Sequence, residues 1–246
     1  MSYNVFARYY DALTQNVDYR KMADYLCALL EREGHEAGLT LDLACGTGSL
    51  TLELARRGFD VYGADASREM LSAAQEKAME EDFRILFLRQ KMQSLDLFGT
   101  VNTVFCSLDS INHLANEEEV RKTFGRVSLF LEPGGYFVFD MNTPYKHRCV
   151  LGDNCYVYDV DEVFCVWQNQ YEDKTDRVEI SLDFFEKKGT LYERSSERFH
   201  ERAYPTEQVL GWLREAGLEP RLVFASGTFA APGEPADRVT VAAKKV

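Results

Sequence analysis

The chain has no Cys-x-x-Cys pair and no excess of positive charge. It also has no apolar run approaching the roughly 20 residues of a membrane span. Each absence removes a class of function. The six cysteines (Cys27, Cys45, Cys106, Cys149, Cys155 and Cys165) sit mostly in apolar runs. That pattern suits reduced thiols in a cytoplasmic protein and disfavours a disulfide frame or a zinc site. Lys and Arg number 28 against 40 Asp and Glu, a formal net charge of −12. Nucleic acid and anionic membranes attract clustered basic side chains, so neither is an expected partner. The opening Met1-Ser2-Tyr3-Asn4-Val5 lacks a charged segment followed by an apolar one, so no signal peptide is expected. Internal repeats and low-complexity linkers are also missing. With 246 residues, 46% hydrophobic and 28% charged, the chain is long enough to bury a core as one large domain or a domain with an insertion.

What is present centres on Leu39 to Ser67. Leu39, Leu41 and Leu43 alternate with Thr40 and Asp42, the pattern of a strand. Gly46 and Gly48 break the run, and Leu50, Leu52, Leu54 and Ala55 follow in a helix that stops at Gly58. Phe59 to Gly63 is a second apolar strand, with Asp65 at its carboxyl end. In an open parallel sheet, ligands bind at those ends beside the point where strand order reverses. An acid roughly 20 residues past the glycines is placed to accept hydrogen bonds from a ribose. Two phosphate-binding signatures are incomplete. Gly46-Thr47-Gly48-Ser49-Leu50-Thr51 lacks the third glycine of a dinucleotide loop, and no lysine follows Gly48 as a P-loop requires.

The stretch Leu41-Asp42-Leu43-Ala44-Cys45-Gly46-Thr47-Gly48, with Asp65 downstream, resembles motif I of the class I S-adenosylmethionine (SAM)-dependent methyltransferases. Ala44 stands where that motif often has a glycine. Leu131-x-Pro133-Gly134-Gly135 before an apolar strand is a further point of resemblance. The resemblance implies an α/β, Rossmann-like seven-stranded sheet whose final strand inserts antiparallel. It implies SAM as cofactor and S-adenosylhomocysteine as product. Asp65, with Ala66 beside it, would bind the ribose hydroxyls. The backbone of Ala44, Cys45, Gly46 and Gly48 would pass close to the methionine moiety. Asp42 would orient the loop or meet the cofactor amine through water, and Met70 would lie near the adenine. In many small-molecule members an amino-terminal Tyr-Asp segment closes over the cofactor, and Tyr10 and Tyr19 match its tyrosines. Two positions depart from the pattern. Lys91, before Met92, stands where an acid commonly accepts a bond from the adenine amine, and lysine has only donors. Asn102 heads a strand where an acid is common.

The remaining pattern fills in the frame. Met22, Tyr25, Leu26, Leu29 and Leu30 fall at helical spacing before Gly34, within an amino-terminal lead and helix over residues 1–36. Ser67 caps a helix running to Glu80 with Met70, Leu71 and Ala74 on its apolar face. Strands are expected over 83–88 and 101–108, a helix over 117–131, a turn at Glu132 to Gly135 and a strand over 136–140. Strand-like runs at 155–158, 163–171, 177–185 and 191–199 then break the alternation. They predict an antiparallel β insertion, residues 145–202, between the fifth and sixth core strands. Such an insertion roofs an acceptor pocket, forms a homodimer surface, or does both. A helix over 205–216 and strands over 220–225 and 238–243 complete a core made of residues 37–144 and 203–246.

The candidate chemistry lies at the end of the fourth strand. In the resembled family the loop holding Cys106 and Ser107 borders the sulfonium. Ser110-Ile111-Asn112-His113-Leu114 resembles the matching loop of nucleotide-sugar N-methyltransferases. His113 is the candidate catalytic group, because histidine titrates near neutral pH, and Tyr10 is the second. Ser110, His113, Arg202 and Tyr204 are the candidate substrate contacts; Arg202 either holds an anionic acceptor or pairs with Glu201. Asp140-Met141-Asn142 offers too few oxygen ligands, so no metal is expected. These readings predict metal-independent methyl transfer from SAM to an N or O atom of a small molecule by in-line displacement. The alternative is a non-catalytic SAM-binding or interaction protein on the same fold.

Overall fold

The computed structural model describes residues 5–160 and 162–246. Residues 1–4, the start of the expected amino-terminal lead, lie outside the described residues, as does residue 161 in the expected insertion. Two helices open the chain, α1 (Phe6–Leu13) and α2 (Tyr19–Arg32). Asp18 caps α2, its carboxylate accepting from Lys21 N at 3.0 Å. Strand and helix then alternate: β1 (Leu39–Leu43), α3 (Ser49–Arg56), β2 (Asp60–Asp65), α4 (Arg68–Glu80), β3 (Phe87–Arg89), β4 (Val101–Cys106), α5 (Glu117–Phe130) and β5 (Leu131–Asn142). Ser67 Oγ accepts from Met70 N at the start of α4, as its sequence position predicts. Asn116 caps α5, and Glu117, Glu118 and Glu119 in its first turn complement the helix dipole.

Four long strands follow, β6 (Cys155–Val160), β7 (Val163–Glu172), β8 (Arg177–Lys188) and β9 (Leu191–Arg202), before α6 (Thr206–Glu215), β10 (Leu218–Ala225) and β11 (Arg238–Lys245). The main sheet has seven strands in the order β10-β11-β5-β4-β1-β2-β3. β1 to β5 pair in parallel, whereas β11 runs antiparallel to both β5 and β10. β6 to β9 form a second, wholly antiparallel sheet. This is the α/β, Rossmann-like sheet with an antiparallel insertion that the sequence predicts. Leu41 and Leu43 of β1 and Phe137 and Phe139 of β5 are buried at the centre of the parallel sheet, which helices cover.

Several boundaries differ from expectation. The third strand is three residues long: among the described residues, Phe87, Leu88 and Arg89 alone find ladder partners on β2, and no further strand covers that edge. The fourth strand stops at Cys106 and not at Leu108, since Leu108 and Asp109 take φ of 57° and 51° and turn the chain away. The fifth strand includes the expected Glu132–Gly135 turn. Gly134, at φ 81°, lets the chain shift register against β4 without leaving the sheet.

α1 lies between the two sheets. Phe6 and Tyr9 stack on Phe199 and Phe184 at centroid distances of 5.8 and 4.6 Å. Glu197 of β9 accepts from the backbone N–H of Val5 and Phe6 at 3.0 and 2.6 Å. From the other side, Asp11 accepts from Thr47 Oγ1 at 2.6 Å and pairs with Lys77 Nζ at 2.8 Å. The helix is therefore tied both to the insertion and to the glycine loop.

Candidate active site

The sheet reverses its order between β1 and β4, and the loops after those strands build the site. After β1 the chain must turn sharply into α3. Ala44, Gly46 and Gly48 do this with φ of 60°, 54° and 75°. Ala44 holds the left-handed conformation despite its Cβ, at a cost of roughly 1–2 kcal/mol. Gly48 has no such choice, since a Cβ there would stand 2.9 Å from the Ala74 Cβ of α4. Asp65, at the end of β2, braces the loop. Its Oδ2 accepts from Gly46 N at 3.0 Å and its Oδ1 from Ser67 N at 2.8 Å. Burial raises the Asp65 pKa, while the bonds from Ser67 and Gly46 oppose the shift. Asp42 is buried one layer below, accepting from Thr51 Oγ1 at 2.6 Å. Burial pushes its pKa up to about 7 against the Thr51 bond, with the Asp65 charge adding to the rise.

These loops enclose a cavity of about 290 Å³. Ten of the sequence-predicted residues line it: Tyr10, Ala44, Gly46, Asp65, Ala66, Met70, Lys91, Met92, Ser110 and His113. Phe6, Gln90, Gln93, Leu108, Leu114, Ala115 and Glu119 complete the wall. A smaller recess of about 40 Å³ opens beside it, lined by Tyr10, Tyr19, Asp42, Ala44, Cys45, Gly46, Ser107 and Ser110 among others. A wider hollow of about 710 Å³ on the outer flank of α4 carries none of the predicted site residues.

Four predicted residues lie elsewhere. Gly48 shapes the loop without lining either cavity. Cys106 is fully buried beneath the floor, its Sγ 3.8 Å from Met92 Sδ. Arg202 and Tyr204, expected as substrate contacts, line neither cavity. The Arg202 guanidinium sits over the Tyr204 ring at 5.1 Å, and that ring packs edge-on against Trp212 of α6 at 5.1 Å. Nor do Arg202 and Glu201 form a surface pair. Neighbouring residues of a strand face opposite ways, and Glu201 is buried.

The two candidate catalytic groups differ in chemistry. Burial raises the pKa of the Tyr10 hydroxyl well above its ordinary value, and Tyr19, Asp109 and Asp11 push it the same way. A neutral Tyr10 hydroxyl can donate or accept a hydrogen bond at the cavity wall. His113 stands on the turn after β4 with its side chain about a quarter exposed. Its Nε2 is 3.8 Å from Glu201 Oε1, and its ring lies 5.5 Å from that of Phe199.

The turn carrying Leu108 to His113 is held by a buried polar cluster that the sequence reading missed. Asp140 accepts from Leu108 N at 3.2 Å and Asp109 N at 2.6 Å. Arg238 of β11 donates to Asp109 at 2.9 Å and to Asn142 Oδ1 at 3.1 Å. Burial alone would raise the Asp109 pKa, but Arg238, assisted by His113 and Lys146, holds it below its ordinary value. These bonds occupy Asp140 and Asn142, the residues weighed above as oxygen ligands. Asp109 and Arg238 are 129 residues apart, so no local pattern could have joined them. Glu201 did leave a signal: Phe199 and Glu201 share one face of β9, and Phe199 is an obvious core residue.

The site suits the cofactor implied by the glycine-loop resemblance. Asp65 is a carboxylate on the cavity wall, the loop exposes backbone beside it, and Met70 and Met92 supply apolar wall. The family description of the methyltransferase domain matches residues 40–135, which span β1 to the start of β5. A protein of Geobacillus sp. (strain WCH70), named as a methyltransferase with no acceptor given, is 35% identical over the whole of both chains. A crystal structure of an S-adenosylmethionine-dependent methyltransferase from Clostridium acetobutylicum ATCC 824 is 35% identical and superposes with a TM-score of 0.88, covering 98% of each chain. A sugar N-methyltransferase from Streptoalloteichus sp. ATCC 53650 shares the fold at a TM-score of 0.76, with 21% identity over 97% of this chain and 91% of its own.

Proposed function

The chain belongs to the SAM-dependent methyltransferases, and from that membership we propose that it methylates an amine nitrogen of a small, polar, sugar-like molecule without a metal ion. SAM is its cofactor, and it supplies a methyl group already activated on a sulfonium. The observation that carries the reading is the placement of His113. One cavity is lined by Ala44 and Gly46 of the glycine loop, by Asp65 and by His113, with Phe6 and Tyr10 of α1 also on its wall. The shared fold of a sugar N-methyltransferase supports the acceptor class.

Each wall has a task. Asp65 and the backbone from Ala44 to Gly46 orient the donor. Tyr10 and Ser110 offer hydroxyls that fix the acceptor. Alignment of acceptor lone pair, methyl carbon and sulfur can supply roughly 7–11 kcal/mol of the barrier reduction. An amine attacks only as its neutral form, and its nitrogen must lose a proton after transfer. In this reading His113, on the cavity wall, takes that proton.

The test is incubation with SAM and a panel of amino sugars, with the corresponding hydroxy sugars as controls. Product is read as S-adenosylhomocysteine and as a 14-dalton mass gain. Methylation of amines and not of hydroxy sugars supports the proposal. Methylation confined to hydroxyls would overturn the choice of nitrogen.

A further inference from the structure

One end of the cavity is left over by the proposed chemistry. Across the sheet the strands run in the order β4, β1, β2, β3. Their carboxyl ends bring to the cavity, in that order, His113, the glycine loop, Asp65 and residues Gln90 to Gln93. With the reacting methyl beside His113 and the ribose on Asp65, the base of the cofactor falls at the β3 end. A planar base packs its faces on apolar side chains and leaves its polar edge to be hydrogen-bonded. Met70, Met92 and Leu114 supply the apolar wall.

The polar partners follow from what is already spent. The Gln90 amide is tied twice to the backbone of Asp96, at 2.6 Å each way. Glu119, which also lines the cavity, stands in an acidic run in the first turn of α5. Glu117 pairs with Arg121 at 2.9 Å and Glu118 with Lys122 at 2.7 Å, each four residues on. Four residues beyond Glu119 is Thr123, whose hydroxyl bonds the Glu119 carbonyl at 2.9 Å, so no cation meets the Glu119 side chain from there. Its Oε2 accepts from Ala115 N at 2.9 Å, and among the described residues nothing bonds Oε1. Seven residues on, Arg126 shares its helix face and bonds the Leu95 carbonyl and Asp96. That face therefore brings Glu119 to the chain that follows β3.

The Lys91 ammonium likewise has no partner among the described residues, although Glu119 lines the same cavity. Opposite charges that share a wall without meeting suit a ligand edge with a donor beside an acceptor. Adenine has such an edge: its exocyclic amine donates and the adjoining ring nitrogen N1 accepts. We propose that Glu119 reads the base of the cofactor, its Oε1 accepting from the exocyclic amine of adenine while Lys91 donates to N1. Lysine has donors only, so the amine needs an acceptor from another element, and α5 supplies it. The inference rests on SAM as the cofactor and not on the nature of the methyl acceptor.

The experiment is calorimetric titration of the full chain with S-adenosylhomocysteine, with S-inosylhomocysteine, whose base carries an oxygen in place of the amine, and with the 1-deaza analogue, which lacks N1. Wild type should prefer the adenosyl to the inosyl ligand by about 10-fold or more. In Glu119→Gln the amide oxygen keeps the bond from Ala115 N, and the amide NH2 replaces Oε1. That donor opposes the amine and suits the inosyl oxygen, so the preference should vanish or invert. A Glu119 that served only to cap α5 would weaken both ligands alike. Lys91→Met should weaken S-adenosylhomocysteine several-fold and leave the 1-deaza analogue unchanged. A wild type without preference would overturn the inference, even if the variants failed to fold. So would a preference kept in Glu119→Gln but lost in Gln93→Leu, which alters the other uncommitted amide on this wall. Equal weakening of the 1-deaza analogue by Lys91→Met would overturn the part assigned to Lys91. If wild type binds no nucleoside ligand, the cofactor account falls and the inference with it. If the preferences are as stated but no panel amine is methylated, the proposed reaction falls and the role of Glu119 stands.

Discussion

Asp42→Asn removes a charge from the floor of the site while keeping the shape of the side chain. The amide oxygen can still accept from Thr51 Oγ1, which donates to Asp42 at 2.6 Å. The folded-state pKa of Asp42 is raised from 3.8 to about 7 by burial. A carboxyl raised in this way favours the folded state only while protonated. Its contribution is fully present below about pH 4 and is lost as the pH rises through 7. A rise of roughly three pH units, at about 1.4 kcal/mol each, sets an upper bound of about 4 kcal/mol on the loss at alkaline pH. Asparagine does not ionise, so the variant escapes it. Urea unfolding of the ligand-free protein, followed by fluorescence of Trp167 and Trp212, is the assay. At pH 5 the variant should already be more stable by about 1–2 kcal/mol, and at pH 8.5 by about 2–4 kcal/mol. A variant-minus-wild-type difference that is equal at pH 5 and pH 8.5 would refute the reasoning, because it would mean that Asp42 ionises as readily in the fold as outside it.

Two further outcomes follow from the buried contacts. Arg238→Met leaves Asp109 and Asp140 buried without their cation, so unfolding measurements at pH 7 should show a loss of about 3–5 kcal/mol. Recovery of much of that loss on adding Asp109→Asn would confirm that the unpaired carboxylate is the cause. Lys77→Met removes the cation that binds Asp11 at 2.8 Å and Ser49 Oγ at 2.8 Å. It should loosen α1 from the glycine loop and raise the S-adenosylhomocysteine off-rate several-fold in stopped-flow displacement, with little change in melting temperature.

Much of the cofactor half was legible because it is local. The glycines, Asp42 and Asp65 fall within 24 residues of one another along the chain, and the backbone geometry they require admits few other residue types. Strand periodicity likewise exposed β6 to β9, since their alternation reflects one buried and one exposed face. The acceptor half was harder to read. Its wall joins Phe6 and His113 from separate elements, and the support of His113 comes from β9 and β11. The charge of Arg202 suggested an anion contact, and the strand parity set by Phe199 sends its neighbour Glu201 inward. Lys91 lines the cavity as its position in the sequence suggested, with an ammonium where the resembled family commonly has an acid.

Calorimetric titration with SAM and S-adenosylhomocysteine, with NAD as the control, tests the central claim most directly. Both sulfur ligands should bind with micromolar affinity and NAD should not. Asp65→Ala removes the acceptors of Gly46 N and Ser67 N as well as the proposed ribose contact, and should weaken binding on the order of 100-fold. A folded wild-type protein that binds neither sulfur ligand, or an Asp65→Ala variant that binds them as tightly as wild type, would contradict the account of the site.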